Sequence, residues 1–392
     1  MKKRCIILLF LAVAAAVGSC VYSFDPQIDG EGGYLVVDGN IVIGEVSEVR
    51  LSYSWSLVDT LATQDEARMA VLYQSRMHVE DSEGGRYDDT QPFGNRSALA
   101  YFDMREADPA LSYRLVIENP EGTYVSAWEK PFPPGEIDEL KYDISADGST
   151  MRILVSAHSD TPAPSYYRWQ VDETWEYHAR TYSYVNYYYT GRPDGRIEQG
   201  PDTVYRCWSD GVLGGILTAS TEDLAEDRVV DHQLYTIGNH DQRVSVCYAA
   251  DVRQMRIPEE AYRYWNQMND NASDIGGLFS PEPSEYRGNV TNTDDPEELV
   301  LGYVGVLSVA SRRLYVRHDE ARFYRAVREP ELALDTLRSP AEYLKAYMEG
   351  KVPVTEVFSE TGFSIGFEWW PVGCVDCRYQ GGTTKRPPEW PI

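Results

Sequence analysis

Short stretches that alternate apolar and polar residues recur along most of the chain, each bounded by glycine, proline or asparagine. Val49 to Trp55 alternates in this way, and Tyr113 to Glu118 and Tyr124 to Trp128 flank a turn at residues 119–122. Successive side chains of a strand point to opposite faces, so this alternation is typical of sheets with one buried face. Turn residues at this spacing favour a β-sandwich. The sequence therefore predicts a mainly β chain with two β-sandwich-like (Ig-like) domains.

A proline-rich segment at residues 131–135 separates the two predicted domains. Prolines stiffen it and lack the N–H that a central strand would donate. We predict an N-terminal β-sandwich over residues 34–133 and a larger β-rich domain over residues 137–392. In the first domain, the apolar segments 69–73 and 77–80 are read as further strands.

The second domain is predicted to contain a small helical insertion among its strands. Pro258 suits a first helical turn, Glu259 and Glu260 favour its positive end, and apolar residues follow at helical spacing, which predicts a helix over 258–268. A second helical segment is predicted over 319–347, interrupted at Pro330 and Pro340. The predicted strands lie at residues 140–144, 151–157, 166–171, 204–208, 229–235, 243–248 and 299–309.

The negative charge of the chain argues against nucleic acid as a partner, and its aromatic content suggests a contact surface for another kind of partner. The 392 residues carry a formal charge of −26, which opposes nucleic acid because phosphate binding needs clustered Lys and Arg. Twenty-nine tyrosines are many for one chain, and tyrosine suits contact sites with one apolar and one wet side. The candidate binding surface is the set Tyr182, Tyr184, Tyr187, Tyr188, Tyr189 and Trp208. The alternative is that these rings pack between sheets.

The N-terminus has the order of a secretory signal. Lys2, Lys3 and Arg4 precede an apolar run too short for a permanent bilayer-spanning helix. The stretch 17–20, Val-Gly-Ser-Cys, resembles the bacterial lipobox, which implies a signal peptide at 1–19, lipidation of Cys20 and a lipidated tether at 20–33. The alternative is an ordinary secretory signal that ends in a chance cysteine.

Four cysteines remain after such processing: Cys207, Cys247, Cys374 and Cys377. In an oxidising compartment they predict two disulfides, and three pairings are possible. We favour Cys207 with Cys247 and Cys374 with Cys377. A tetrathiolate zinc site and free thiols are the alternatives.

No recognisable catalytic pattern is present in the sequence. None of the six histidines is paired at metal-ligand spacing, and neither a Gly-x-Ser-x-Gly elbow nor a glycine-rich phosphate loop occurs. We therefore predict a non-catalytic protein with no cofactor and no metal.

Three stretches together resemble one family of Bacteroidota lipoproteins, the domain-of-unknown-function family 4249. They are Leu35-Val36-Val37-Asp38-Gly39; the segment from Glu260-Ala261-Tyr262-Arg263-Tyr264-Trp265 to Leu301-Gly302-Tyr303; and Cys374-Val375-Asp376-Cys377 with Pro387-Pro388-Glu389-Trp390. Val304 follows the second stretch where the resemblance implies an aromatic residue.

The resemblance implies an outer-membrane or surface lipoprotein, often encoded beside a TonB-dependent receptor, with no known reaction. Acidic residues behind the lipidated cysteine resemble a surface-export signal, although Asp25, Asp29 and Glu31 begin later than that signal does. We expect a lipid-anchored, surface-exposed accessory or ligand-capture partner of a TonB-dependent outer-membrane transporter. The alternative is a free-standing surface adhesin or glycan-binding module.

Overall fold

Strands dominate the chain, which is mainly β with several sheets and few helices. The computed structural model describes residues 33–54, 62–91, 98–161, 164–191, 195–200, 202–273, 287–326 and 336–391. The predicted signal peptide at 1–19, the lipidation site Cys20 and the tether up to residue 32 lie outside the described residues. Within the described ranges no helix has both the length and the apolar character needed to cross a bilayer.

The first part of the chain forms eight strands and one helix. They are β1 (Leu35–Gly39), β2 (Ile41–Val42), β3 (Val46–Tyr53), α1 (Ala62–Gln74), β4 (Arg76–Asp81), β5 (Arg86–Asp88), β6 (Leu99–Asp103), β7 (Tyr113–Asn119) and β8 (Gly122–Ser126). Strands β1, β3 and β6 make one antiparallel sheet, and β8, β7, β4 and β5 belong to another. The predicted alternation is confirmed in β3, where Val49, Leu51 and Tyr53 are buried. Both sheets contribute to one hydrophobic core, called here the first core.

Helix α1 corrects the strand prediction for residues 69–73. The segment is rich in Ala, Arg, Met, Glu and Gln, all good helix formers. Met69 and Leu72, three positions apart, share one helical face and pack against the first core. Periodicity over five residues does not separate this pattern from a strand.

A distant segment of the chain returns to complete the first core. Strand β18 (Val290–Asn292) pairs with β8, and β19 (Val306–Leu307) pairs in parallel with β2. Between them Leu301 bridges to Val36, and Val300 and Val304 are buried in the first core. The division of the chain at 34–133 and 137–392 stays a prediction, to which the structure adds this return segment, residues 287–307.

The second core lies between two further sheets. Its elements are β9 (Glu136–Ile144), β10 (Thr150–His158), β11 (Tyr166–His178), β14 (Arg206–Val212), β15 (Leu217–Ser220), β16 (Arg228–Gly238), β17 (Cys247–Ile257), β20 (Val309–Arg317) and the 3₁₀ turn Gln242–Val244. Strands run in the order β16-β10-β9 in one sheet and β14-β11-β17-β20 in the other, with β15 also on β11. Trp169 of β11 and Tyr248 of β17 are buried in this core. The strand predicted at 243–248 begins only at Cys247, because a 3₁₀ turn occupies residues 242–244. The segment predicted as one strand at 299–309 contains the short β19 (Val306–Leu307) and the first residue of β20.

The helical insertion is confirmed as α2 (Glu259–Ser273), which continues beyond the predicted end at residue 268. The described part of the segment predicted at 319–347 contains two short helices instead, α3 (His318–Ala321) and α4 (Pro340–Met348), with β21 (Thr336–Leu337) before α4. Residues 327–335, with the predicted interruption at Pro330, lie outside the described residues. Pro340 begins α4 rather than interrupting a helix, because Ser339 and Glu342 form a capping box around it.

We call the elements around the first core, including the return segment, the first unit, and the elements within residues 136–273 and 309–391 the second unit. The remaining elements also belong to the second unit. They are the hairpin β12 (Val185–Tyr188) and β13 (Arg196–Gln199), strands β22 (Lys351–Phe358) and β23 (Ser364–Pro371), helix α5 (Val372–Val375) and the 3₁₀ turn Cys377–Gln380. Strands β21, β23 and β22 form a three-stranded antiparallel sheet.

Candidate functional site

The predicted aromatic surface lies on and around hairpin β12–β13, and the fold exposes only part of it. The exposed fractions of Tyr184, Tyr188 and Tyr189 are 63%, 46% and 49%. Tyr182 is half-buried, with its ring centroid 5.0 Å from that of Tyr184. The exposed rings are therefore Tyr184, Tyr188 and Tyr189.

Tyr187 has a packing role. Its ring contacts Tyr347 of α4 at 5.2 Å and Trp369 of β23 at 5.4 Å between centroids, the latter edge-on. It is half-buried because alternation along β12 turns it toward the C-terminal sheet. Tyr187 thus fastens the hairpin to this sheet.

Trp208 does not belong to the surface, which corrects the prediction. It is only 5% exposed and packs with Cys247, Ala249 and Trp390. The C-terminal tail covers it, since the backbone of Thr383 pairs with that of Trp208. Sequence could not show this cover because the tail lies far along the chain.

The four cysteines of the described residues form one disulfide, and it corrects the favoured pairing. Cys207 is joined to Cys377, whose Cα atoms are 5.8 Å apart, while Cys247 is a buried free thiol and Cys374 a half-buried one. The adjacent pair Cys374 and Cys377 is not bonded, because the turn at 377–380 directs Cys377 into the small core with Tyr177 and Ala179. The sulfurs of Cys207 and Cys377 are joined in this disulfide, so they are not available as thiolate ligands of the alternative zinc site. Among the described residues no group of three or more His, Cys, Asp or Glu side chains could hold a metal ion.

A cavity of about 370 Å³ beside Cys247 brings titratable residues together. His178, His318 and Glu176 line it with the thiol. Burial raises the pKa of Cys247 to about 12, so the nucleophilic thiolate is disfavoured at neutral pH. Between these described side chains no hydrogen bond joins the sulfur to either imidazole.

Glu176 organises the wall of this cavity. Its carboxylate accepts hydrogen bonds from Trp390 Nε1 at 2.8 Å and from Arg206 Nε at 2.6 Å, with His178 Nε2 at 3.4 Å. Burial alone would raise the pKa of Glu176, but these hydrogen bonds and the Arg206 charge outweigh it and lower the pKa. The carboxylate therefore ties the tail to the second unit.

A larger cleft of about 580 Å³ lies where the two units meet. Its walls are β1, the return segment, α2 and the outer face of β11. Aromatic and aliphatic side chains dominate them: Tyr34, Val36, Tyr264, Trp265, Met268, Leu299, Leu301 and Tyr303. Gly302 lets the return segment lie against β1, because a Cβ at this position would be 2.0 Å from the Val37 carbonyl oxygen. Its φ of +104° also favours glycine.

Among the described residues that line this cleft, Arg168 is the one arginine or lysine. Alternation along β11 buries Tyr167 and Trp169 in the second core and turns Arg168 to the opposite face. Its guanidinium carbon lies 4.0 Å from the Trp265 ring centroid. Burial lowers the pKa of Arg168 to about 10, and Asp38 at the mouth partly offsets the burial.

Sequence reasoning did not single out Arg168 or the cleft, although a signal was present. Two of the stretches that carried the family resemblance, 35–39 and 260–303, supply most of the cleft walls. They are far apart in sequence, and only the return segment brings them together. Arg168 itself lies in an ordinary alternating strand pattern.

The chain belongs to a family described as Domain of unknown function (DUF4249), which matches residues 21–313. The match includes both stretches that line the cleft and ends before the third stretch at 374–390. No curated protein matches the chain.

Proposed function

We propose that this protein is a non-catalytic lipoprotein, anchored through Cys20 to the outer membrane and exposed at the cell surface. It serves there as an accessory and ligand-capture partner of a TonB-dependent transporter. The lipobox-like stretch at 17–20 and the acidic composition support this role, because the charge disfavours nucleic acid. The two sheet pairs, each around its own core, are proposed to be Ig-like sandwiches.

The observation that carries the proposal is the exposed tyrosine group Tyr184, Tyr188 and Tyr189. Tyr188 lies on β12, and Tyr184 and Tyr189 flank this strand, which Tyr187 braces against Trp369. Tyr189 also stacks on Tyr347, with ring centroids 5.7 Å apart. Tyrosine presents rigid contact area at a low entropic cost and is a common interface anchor. The N-terminal lipid holds the first unit near the membrane, so the hairpin on the second unit can reach the rim of a neighbouring barrel.

The test is co-purification from native membranes in mild detergent. Tyr188→Ala with Tyr189→Ala should weaken capture of an integral outer-membrane receptor by more than about 1 kcal/mol, or roughly fivefold, with an unchanged melting temperature. Tyr379→Ala is the matched control, because Tyr379 is 68% exposed but lies on the C-terminal tail. Cys20→Ala should release the protein from membranes and abolish capture. Equal capture by the double variant and the control would contradict the proposed contact.

The alternative function is a free-standing adhesin or glycan-binding module, which the same exposed rings favour because aromatic faces pack on sugar rings. Binding of the purified protein to a glycan array, with loss in the double variant Tyr188→Ala, Tyr189→Ala, would support it. Stable co-purification with a barrel protein and no glycan binding would support the transporter role.

A further inference from the structure

The cleft between the units has the size and lining of a small-molecule site. Its volume of about 580 Å³ lies within the usual range of ligand pockets, roughly 300–1,000 Å³. Tyr264 packs edge-on against Trp265, with centroids 5.2 Å apart, and also contacts Tyr303 at 5.5 Å. These contacts fix an aromatic wall before any ligand arrives, which limits the entropy lost on binding.

Arg168 supplies the polar group of this site. Two arginines near Arg168 are in ion pairs: Arg253 of β17 with Glu45 at 2.5 Å, and Arg243 of the 3₁₀ turn with Glu173 of β11 at 2.7 Å. Within the part of the chain that the structure describes, Arg168 forms no ion pair, and its guanidinium lies on the face of Trp265. Asp38 acts on it electrostatically but is not in ion-pair contact. A largely buried cation with no carboxylate in contact is costly, and a ligand that supplies one lowers that cost.

We propose that the cleft binds a small molecule that has an apolar body and a single carboxylate. The carboxylate accepts hydrogen bonds from the edge of the Arg168 guanidinium, whose planar donors suit bidentate binding while Trp265 covers its face. The apolar body lies against Tyr264, Tyr303 and Leu301. This inference rests on the proposed role in ligand capture and names the ligand class.

Charge selects a monoanion. The cleft lining contains one arginine and one carboxylate, Asp38, which is exposed at the mouth. A dianion such as a phosphate monoester would have a single cation to neutralise it and would meet repulsion from Asp38. A single carboxylate pairs with Arg168 and meets the weaker repulsion from Asp38.

The competing interpretation is that Arg168 only fastens α2 to β11 through its contact with Trp265. A cation–π contact of this kind contributes to packing without any ligand. The two interpretations differ in one respect: only a binding site distinguishes a carboxylate from a neutral group of the same shape.

Isothermal titration of the purified full-length protein tests the proposal. The probes are 4-phenylbutyrate and octanoate, each compared with its primary amide. At least one acid should bind, and its amide should bind about tenfold more weakly or not at all. Equal affinity for acid and amide, or no binding of either acid, would overturn the proposal. This comparison needs no variant.

Two variants then assign the effect to Arg168. Arg168→Gln should remove the preference for the acid, whereas Arg86→Gln, which alters an exposed pair with Asp88 in the first unit, should keep it. Preference retained in a folded Arg168→Gln would overturn the assignment. Because titration uses no membrane partner, failure here with intact receptor capture rejects the ligand class and leaves the proposed function standing.

Discussion

At the scale of single residues, the two buried carboxylates of β11, Glu173 and Glu176, each have several polar partners. Largely buried arginines are satisfied differently: Arg256 donates to neutral oxygens of Pro133 and Thr161, and Arg168 lies on the face of Trp265. Glu173, nearly fully buried, accepts hydrogen bonds from Arg243 at 2.7 Å and from the Tyr248 hydroxyl at 2.6 Å. Glu176 is equally well satisfied. A buried charge that loses one partner is costly, so such networks respond strongly to a single change.

Glu176 gives a prediction about pH. Its pKa is lowered on folding, so its contribution to stability is complete above the unfolded value of about 4.3 and is lost as the pH falls through the lower folded value. We expect acidification below about pH 4 to loosen the tail around Trp390, detected as lower hydrogen-exchange protection at residues 383–391 once the intrinsic exchange rate at each pH is divided out. Glu176→Gln should loosen the tail already at pH 7. Unchanged protection across this pH range would contradict the assigned role.

At the scale of elements, alternation predicted the regular strands well, because burial of one sheet face leaves a period of two in the sequence. Strand β11 is an example, since Tyr167, Trp169 and Val171 face one core. Helix α1 was missed because its apolar residues form one continuous run, 69–73, in which a helical period cannot be told from a buried strand. Nothing in the local sequence could reveal the contacts of Trp208, the pairing of Cys207 or the cleft at Arg168, because each depends on segments more than a hundred residues away.

The disulfide gives the second prediction. It closes a loop across a sequence separation of 170 and holds the turn at 377–380 on Tyr177, whose hydroxyl donates to the Cys377 carbonyl at 3.0 Å. Cys377→Ser should destabilise the protein by about 2–4 kcal/mol in chemical denaturation. Cys374→Ser is the matched control, three residues away and unbonded, and should change little. Peptide mapping that finds Cys374 joined to Cys377 would contradict the pairing.

At the scale of the whole molecule, the two units are interlocked rather than strung in sequence. The chain leaves the first core after β8, builds the second core and α2, and then returns through residues 287–307. Val290, Val300, Val304 and Val306 fill space in the first core that residues 33–126 leave open. The proline-rich pattern at residues 131–135 marks where the chain passes from the first core to the second. It gives no sign that a later segment returns to the first core.

A fragment tests this interlocking. Residues 33–134 alone should lack a cooperative thermal transition, since the first core would miss four buried valines and the partner strands of β8 and β2. Joining residues 287–307 to the fragment through a Gly/Ser linker should restore a cooperative transition. A cooperative transition of the unsupplemented fragment, as sharp as that of the linked form, would show that the return segment is dispensable.

The return segment also sets the order in which the protein can be finished. Synthesis proceeds from the N-terminus, so the sheets of the first unit emerge early but wait for residue 307 before their core can close. A chain that ends before residue 307 lacks the valines that complete the first core. The apolar faces of its sheets then stay exposed to solvent near the proposed anchor, where quality-control proteases can cleave the chain. The topology thus makes completion of the N-terminal unit a check that the chain has reached residue 307 of its 392.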